Sequence, residues 1–398
     1  MPIQSTDYFL IDDNGVSKRI RADNLKAGFK STHSNKKMLV NLSDKVTSRF
    51  VYAGDLSTKV NSNHWMLLER NGVKYAVRGD LVSDYFTETF KRMHYASDGQ
   101  SQTISSLDTV NGESLLMFMD EVSGRPGFID TIRGGDSIQE FFFKKAQGSS
   151  NGNFVTFGTD SFTLEPGLPY PNDNDARFIN RTYGNRTYKV WQFKSSPGFF
   201  DIVTWTGNGS ERIIPHALGA TPGMIMISEY QANGNPDQQW FNYHKNLGPS
   251  KYIRSTDDNA FNNTSLDGDT PNSSHFKVTG STLVNDQYNN SLYVAYIFAD
   301  NPAAGIKCDE FTGNGAAEQQ VNVGFTPEAV IVKKVSGGTA GVSNGYWNCF
   351  DQTNDKVIRL SRADNSPDGS LVITNNGFKA VGSFTNDNGS RFVYMAVK

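Results

Sequence analysis

Cysteine, net charge and long apolar runs, which often assign a chain to a class, are all scarce in this sequence. Its 398 residues include two cysteines, Cys308 and Cys349, far too few for a disulfide framework. We expect two thiols made in a reducing compartment, while a bridge stays open because both residues fall in the last repeat described below. A formal net charge of −3 leaves no basic field that could hold nucleic acid.

Segments that address a protein to a membrane are also missing. No apolar run approaches the roughly 18 residues of a membrane span. Residues 1–7 contain no basic segment followed by an apolar one, so they do not make a signal peptide. We therefore expect no membrane insertion and no export through a signal peptide.

Motifs of catalysis are absent as well. The sequence has no Gly-x-Ser-x-Gly elbow and no His-Glu-x-x-His motif. His216, His244 and His275 lie in one repeat, but neighbouring repeats place Asp130 or Asp351 near the position of His244. Because no site is rebuilt in each repeat, we expect turn or surface histidines, no catalytic residue and no cofactor.

Acidic loops at 257–259, 267–269 and 386–389 offer oxygen atoms to a cation. None carries the full twelve-residue calcium pattern with its terminal Glu, and Asp, Asn and Gly also simply make turns. We therefore expect no metal site. The 41 acidic residues are too many for sequence alone to nominate a pair of glycosidase carboxylates.

Glycine and aromatic residues are what the chain has in abundance, with 37 Gly, 27 Phe and 16 Tyr. Its apolar runs are short, rich in β-branched and aromatic residues, and bounded by Gly, Pro or Asn, most clearly over residues 197–300. This pattern predicts strands and turns with no helix of consequence. The fold class is therefore all-β.

The plan of residues 197–300 occurs again on both sides. Its Gly207-Asn208-Gly209 turn returns as Gly313-Asn314-Gly315. Apolar strands around Met117, Ile225 and Val330 recur about 100 residues apart, which is an ordinary domain size. We predict three tandem β-sandwiches, lectin-like or jelly-roll-like in type, at 91–196, 197–303 and 304–398.

Residues 1–90 hold a smaller repeat with three short β-hairpins. Asn14-Gly15 and Asn71-Gly72 each separate two apolar runs, which is the strongest short-range hairpin signal. Such small units bury little by themselves, so we expect this region to attach the protein to a partner. The candidate attachment and assembly residues are Tyr8, Phe9, Trp65, Met66 and Tyr85. The alternative is that the three hairpins pack on one another within one chain.

Two long polar loops, between Gln231 and Gln239 and from Gly337 to Gly345, are the expected contact surfaces, because loops held by a sheet commonly carry binding residues. The candidate contact residues are Asn233, Asn235, Asp237, Asn344 and Tyr346. Trp240 and Trp347 occupy similar places in two repeats, so we expect core packing rather than sugar stacking for them.

The middle unit resembles a known family. Pro197-Gly198-Phe199-Phe200-Asp201, Gly207-Asn208-Gly209, the stretch from Ile214 to Ile225, and Trp240-Phe241-Asn242-Tyr243-His244 are similar to a repeated domain of unannotated function. That domain occurs in tail-fibre and other virion structural proteins of marine tailed phages, cyanophages among them. The unit before it resembles a partner domain, and 1–86 is similar to N-terminal hairpin modules of such proteins. The last unit departs most, since it lacks the His-Ala-Leu-Gly stretch.

The resemblance implies a phage virion protein, a tail fibre or other appendage, made in the host cytoplasm and without enzymatic activity. It would attach to other virion proteins through 1–90 and present the sandwiches to a host-surface glycan or protein receptor. Fibre analogy implies a homo-oligomer, with a trimer as the expected state. The alternatives are a purely structural decoration of capsid, neck or tail, and a polysaccharide depolymerase. The family has no agreed catalytic residues to carry over.

Overall fold

The fold is taken from a computed structural model of the chain. The residues that it describes are 8–13, 16–21, 37–41, 48–52, 65–70, 73–78, 89–110, 112–121, 126–141, 146–148, 154–166, 179–180, 186–231, 240–254, 260–262, 266, 269–281, 283–286, 291–337, 347–351, 358–359 and 371–398. The chain divides into two compact units, Met1–Glu88 and Thr89–Lys398.

The first unit contains one antiparallel sheet of six strands. The strands are β1 (Tyr8–Asp13), β2 (Val16–Arg21), β3 (Lys37–Asn41), β4 (Ser48–Tyr52), β5 (Trp65–Arg70) and β6 (Val73–Arg78). Successive strands pair as β1–β2, β3–β4 and β5–β6. These are the three hairpins that the sequence predicts.

The first strands of the three hairpins pair with one another in a closed cycle. The end of β1 pairs with the start of β3, the end of β3 with the start of β5, and the end of β5 with the start of β1. The corresponding pairs are Ile11 with Met38, Val40 with Met66, and Leu68 with Phe9. The hairpins therefore follow a pseudo-threefold arrangement at the level of the backbone.

The second unit is built from three groups of strands. The first group is β7 (Phe90–Ala96), β8 (Gln102–Ser105), β9 (Ser114–Asp120), β10 (Pro126–Asp130), β11 (Ser137–Glu140), β12 (Ala146–Gly148), β13 (Val155–Phe157), β14 (Ser161–Leu164) and β15 (Thr187–Lys194). The second is β16 (Phe200–Thr206), β17 (Arg212–Pro215), β18 (Pro222–Gln231), β19 (Phe241–His244), β20 (Lys251–Arg254), β21 (Ala260–Asn262), β22 (His275–Val278) and β23 (Leu292–Ala299). The third is β24 (Ile306–Thr312), β25 (Glu318–Asn322), β26 (Ala329–Ser336), β27 (Trp347–Asp351), β28 (Ile358–Arg359), β29 (Leu371–Thr374), β30 (Gly377–Val381) and β31 (Arg391–Val397).

Helical structure in the described residues is limited to short turns. The α-helix α1 covers Gly382–Asn386, and 3-10 turns cover Lys245–Leu247 and Pro302–Ala304. The all-β fold class is therefore confirmed.

Each group forms a larger and a smaller antiparallel sheet, and the strand order repeats. The larger sheets have the orders β12-β11-β10-β9-β15-β7, β21-β20-β19-β18-β23-β16 and β28-β27-β26-β31-β24. In each, the closing strand of the group lies between its first strand and its long apolar strand. The smaller sheets are β13-β14-β8, β17-β22 and β25-β30-β29, and each pairs the second strand of its group with the strand of the repeated Phe. Because these connections recur in the same order, we name the three groups sandwich 1, sandwich 2 and sandwich 3.

The strand pairing corrects the sequence alignment of the repeats by one residue. Equivalent pairs bring the last residue of the second hairpin strand to the apolar strand: Asp130 with Leu115, His244 with Met224, and Asp351 with Ala329. Met117, Ile225 and Val330 therefore lie in equivalent strands, as predicted. The residue of sandwich 1 that is equivalent to Ile225 and Val330 is Leu116, one position before Met117. A one-residue shift in a strand moves a side chain to the other face.

The larger sheets are buried on both faces. In sandwich 1, Leu116 and Phe118 pack with Phe162 of the smaller sheet, while Leu115 and Met117 belong to a core that residues of all three sandwiches share. Sandwich 3 shows the same division, since Val330 and Phe378 lie in its own core and Ile331 in the shared one. The continuous apolar runs of these strands are the pattern expected for strands covered on both sides.

Aromatic rings from the three sandwiches meet in the shared core. The ring centroid of Phe141 lies 5.2 Å from that of Trp240 and 5.5 Å from that of Trp347. These distances are within the range in which aromatic pairs stabilise each other. The three sandwiches therefore share one core, in addition to the separate cores inside sandwiches 1 and 3.

Buried polar contacts connect the sandwiches in a cycle. Tyr296 donates to Asp130 Oδ2 at 2.8 Å, Trp191 Nε1 donates to Asp351 Oδ2 at 2.7 Å, and His244 Nε2 donates to the carbonyl oxygen of Tyr394 at 3.2 Å. The three equivalent positions are Asp130, Asp351 and His244. They link sandwich 1 to sandwich 2, sandwich 3 to sandwich 1, and sandwich 2 to sandwich 3, respectively. Such contacts matter because a buried polar group without a partner is costly.

A buried asparagine supports each Gly-Asn-Gly turn. The Asn285 amide donates to Asn208 Oδ1 at 2.9 Å, and its own oxygen accepts from the Asn208 backbone N–H at 3.2 Å. Asn386 makes the same two contacts with Asn314, at 2.9 and 3.0 Å. In sandwich 1, Asn180 accepts from the backbone of Gly99 at 3.3 Å, so this structural position recurs in all three.

Candidate functional site

The predicted contact loops lie outside the described residues. This applies to Asn233, Asn235, Asp237, Asn344 and Tyr346, and also to the attachment candidate Tyr85. Of the other attachment candidates, Tyr8 and Phe9 are on β1, and Trp65 and Met66 are on β5. These four residues stay predictions as far as their contacts are concerned.

The aromatic residues considered for sugar stacking are core residues. Trp240 and Trp347 are 2% and 1% exposed, which confirms the expectation from their similar places in two repeats. Trp205, Phe241 and Tyr252 are buried as well. None of these five rings is available to stack on a sugar.

The three histidines have different environments. His244 is buried, so the expectation of a turn or surface histidine is wrong for this residue. Burial lowers the pKa of His244 to about 4, because the apolar interior disfavours the charged imidazolium. Burial also lowers the pKa of His216, which is half-buried. His275 is half-buried at the start of β22.

The acidic loops are described only in part. Residues 257–259, 267 and 268 lie outside the described residues, while Asp269 is exposed. In the third loop, Asp387 is buried and binds Lys334 Nζ at 3.2 Å and Ser390 Oγ at 2.7 Å. No group of three or more metal-ligating side chains occurs among the described residues.

Both cysteines are free thiols and buried, as the preferred expectation had it. Burial raises the pKa of each thiol well above its ordinary value, because the interior disfavours the thiolate. Neither residue has the exposed, electropositive surroundings of a reactive cysteine.

An open cleft lies on sandwich 2, where β17 and β22 form the smaller sheet. Its volume is about 560 Å³, within the range of ligand sites in proteins. Register places Ile213 of β17 opposite Lys277 of β22. The residues that line the cleft are Glu211, Arg212, Ile213, Asp269, Thr270, Asn272, His275, Phe276 and Lys277. Strand alternation explains the cleft, since Ile214 and Phe276 turn inward while their neighbours face out.

Charged groups surround an exposed aliphatic side chain in this cleft. Lys277 Nζ lies 2.6 Å from Glu211 Oε1 and 3.3 Å from Asp269 Oδ2. Ile213 is 56% exposed and shares the cleft with four charged residues, Glu211, Arg212, Asp269 and Lys277. The cleft therefore offers hydrogen-bond donors, acceptors and an apolar contact together.

The histidine of the cleft is held by its neighbours. Asn272 donates from Nδ2 to His275 Nε2 at 3.0 Å, and Asn272 Oδ1 accepts from the backbone N–H groups of Ser274 and His275 at 2.9 and 3.1 Å. A side chain that accepts from the following backbone makes a compact turn. The imidazole is thus fixed at the edge of the cleft.

Sandwich 3 retains only part of this site. Its Lys379 occupies the place of Lys277 and binds Glu318, the counterpart of Glu211, at 2.6 Å. The places of Ile213 and His275 are taken by Gln320 and Gly377. In sandwich 1, Thr103 and Thr163 hydrogen-bond across the equivalent strands at 2.9 Å. The complete set of side chains is therefore specific to sandwich 2.

This cleft lies outside the long loops in which the sequence predicts contact residues. One signal was present in the sequence of the last two repeats, because Lys277 and Lys379 each follow the repeated Phe, and Glu211 and Glu318 each follow a Gly-Asn-Gly turn. The contact between Glu211 and Lys277 could not be found from local pattern, since it depends on the pairing of β17 with β22.

Comparison with known proteins identifies the family of the chain. Residues 82–398 match the model of a protein family described as a domain of unknown function, DUF7483. No curated protein matches the chain. Within the part of the chain that the structure describes, no helix has the length and apolar character to cross a membrane.

Proposed function

The chain belongs to the DUF7483 family, and we propose that it is a structural protein of a phage virion, a tail fibre or appendage that binds a host-surface glycan. The sequence resemblance to virion proteins of marine tailed phages supports a location in the virion. The cleft on sandwich 2 supports the binding of a glycan. Residues 1–90 attach the protein to other virion proteins, and the sandwiches are presented outward.

The observation that carries the adhesive role is the cleft. A sugar ring presents hydroxyl groups that both donate and accept hydrogen bonds, beside apolar C–H surfaces. Carboxylates accept, Lys277 donates, and Ile213 offers the apolar contact. Because Ile213 and Lys277 are held on the paired strands β17 and β22, little ordering of these two groups is needed when a ligand binds.

An adsorption assay tests this function. Fluorescently labelled full-length protein is titrated onto cells of the host strain, with and without soluble envelope polysaccharide from that strain as competitor. Saturable binding that the polysaccharide displaces is expected. Ile213→Asp should weaken binding about tenfold or more, a loss of about 1.4 kcal/mol or more, because it adds a third carboxylate and removes the apolar contact.

Val372→Asp is the matched control. Val372 is also an exposed aliphatic residue of a smaller sheet, 46% exposed, and lies opposite Lys379 in sandwich 3. Equal losses from both substitutions would contradict a site in the cleft. Protein found in virions that binds no host polysaccharide would indicate a decoration protein, and new reducing ends in the competitor would indicate a depolymerase.

A further inference from the structure

The backbone of the first unit repeats three times around a centre. The strands β1, β3 and β5 pair in a closed cycle, and the three pairings use the same positions of each strand. Equivalent central residues are Leu10, Leu39 and Leu67, each between the two positions that pair with the neighbouring hairpins. One chain thus supplies three copies of one structural element in equivalent places.

Each hairpin also has an outer strand. Among the described strands, β2 pairs only with β1, β4 only with β3, and β6 only with β5. An outer strand has a row of backbone N–H and C=O groups that can pair with an added strand. The cycle therefore carries three equivalent edges.

The second unit also has three equivalent parts of one chain arranged in a closed cycle. Its three sandwiches share one core, and equivalent residues link each sandwich to the next. Three identical subunits related by a threefold axis form closed cycles of the same kind. Here both units reach the symmetry of a trimer within one chain.

We infer that the protein is a monomer that docks, as a single copy, on a homotrimeric protein through the three outer strands β2, β4 and β6. The occupant of each edge is one extended segment from each subunit of the trimer. Three equivalent segments match three equivalent edges, and simultaneous weak contacts combine into tight attachment. This inference rests on the attachment role proposed above and adds the symmetry of the partner. It replaces the homotrimer expected from fibre analogy.

The solution state is the first test. Light scattering of the purified full-length chain should give the 44.0 kDa of a monomer at micromolar concentration. A trimer would overturn the inference, because the chain would then supply a threefold assembly of three copies by itself.

Purified virions provide the second test. Cross-linking with a lysine-reactive reagent, followed by mass spectrometry, identifies the partner of residues 1–88. Lys74 of β6 lies opposite Glu69, and the equivalent positions are Ser17 opposite Asp12 and Ser48 opposite Asn41. Phages with Ser17→Lys or Ser48→Lys therefore present a lysine at the same place on another hairpin. All three lysines should cross-link to the same residues of one partner sequence.

Stoichiometry on unmodified virions completes the test. Isotope-labelled standard peptides should give one chain to three partner subunits. Equal copy numbers, or cross-links from the three hairpins to different partner regions, would overturn the inference. The proposed function as a virion protein would not be contradicted by either result. Absence of the chain from purified virions would instead overturn the proposed function, and the inference with it.

Discussion

Replacing Asp351 with Ala should strongly destabilise the second unit. Asp351 Oδ1 lies 2.9 Å from Lys189 Nζ, and Asp351 Oδ2 accepts from Trp191 Nε1 at 2.7 Å. The side chains of Lys189 and Asp351 are 2% and 1% exposed. Asp351→Ala leaves the lysine charge buried without this carboxylate, which typically costs about 3–5 kcal/mol. The contact joins sandwich 3 to sandwich 1, so its loss also weakens their packing.

Urea unfolding of the full-length chain, followed by tryptophan fluorescence, measures this effect. Glu318→Ala is the matched control, since it removes the carboxylate of an ion pair whose side chains are 39% and 52% exposed. Exposed pairs contribute about 0–1 kcal/mol. Equally small effects of the two substitutions would refute the reasoning, because they would mean that Asp351 is not enclosed between sandwiches.

A compensating variant separates the charge from the packing. Asp351→Leu combined with Lys189→Met removes both charges and keeps similar volume, so it should recover much of the lost unfolding free energy. Recovery should be incomplete, because Trp191 Nε1 loses its acceptor at a typical cost of about 1–3 kcal/mol. A double variant as unstable as Asp351→Ala would contradict a charge effect.

Two further predictions follow from buried titratable groups. The free energy of unfolding should fall as pH falls from about 6.5 to about 4, because His244 stays neutral in the folded state, with a pKa lowered to about 4, but protonates near its ordinary pKa when unfolded. The His244-dependent part is on the order of 3 kcal/mol, and His244→Gln should remove it; an unchanged pH slope in that variant would contradict the buried, neutral imidazole. Cys308 and Cys349 should not react with a thiol reagent such as Ellman's reagent in the folded protein, and two thiols should titrate in urea; one thiol that reacts at the rate of a free amino acid would contradict the burial of both.

The repeats could be predicted because their signals are local. Asn-Gly between apolar runs marks the hairpin formed by Tyr8–Asp13 and Val16–Arg21, and short apolar runs mark strands such as Ala329–Ser336. Two-residue alternation and turn chemistry are written within a few positions. The strand-like runs around Trp240 and Trp347 and their similar places in two repeats predict core residues, and both are buried.

The contacts between sandwiches could not be predicted in the same way. The sequence placed Asp130, His244 and Asp351 at one repeated position, and this mixture of residue types indicated that no site was conserved between repeats. In the fold, that position is where each sandwich contacts the next. Each partner lies more than a hundred residues away in sequence, so the shared role becomes visible only once the strands are assembled.

Three sandwiches in one chain allow something that three identical subunits do not. A homotrimer would carry three copies of any cleft, whereas here the place of His275 is taken by Ser161 in sandwich 1 and Gly377 in sandwich 3. Equivalent positions make the contacts between sandwiches, whereas the residues on the smaller sheets differ from one sandwich to the next. Under the two proposals made above, the hairpins keep the equivalence needed to dock on a trimer, while one sandwich has diverged to bind a ligand. A threefold-symmetric position on the particle would then carry one binding site instead of three.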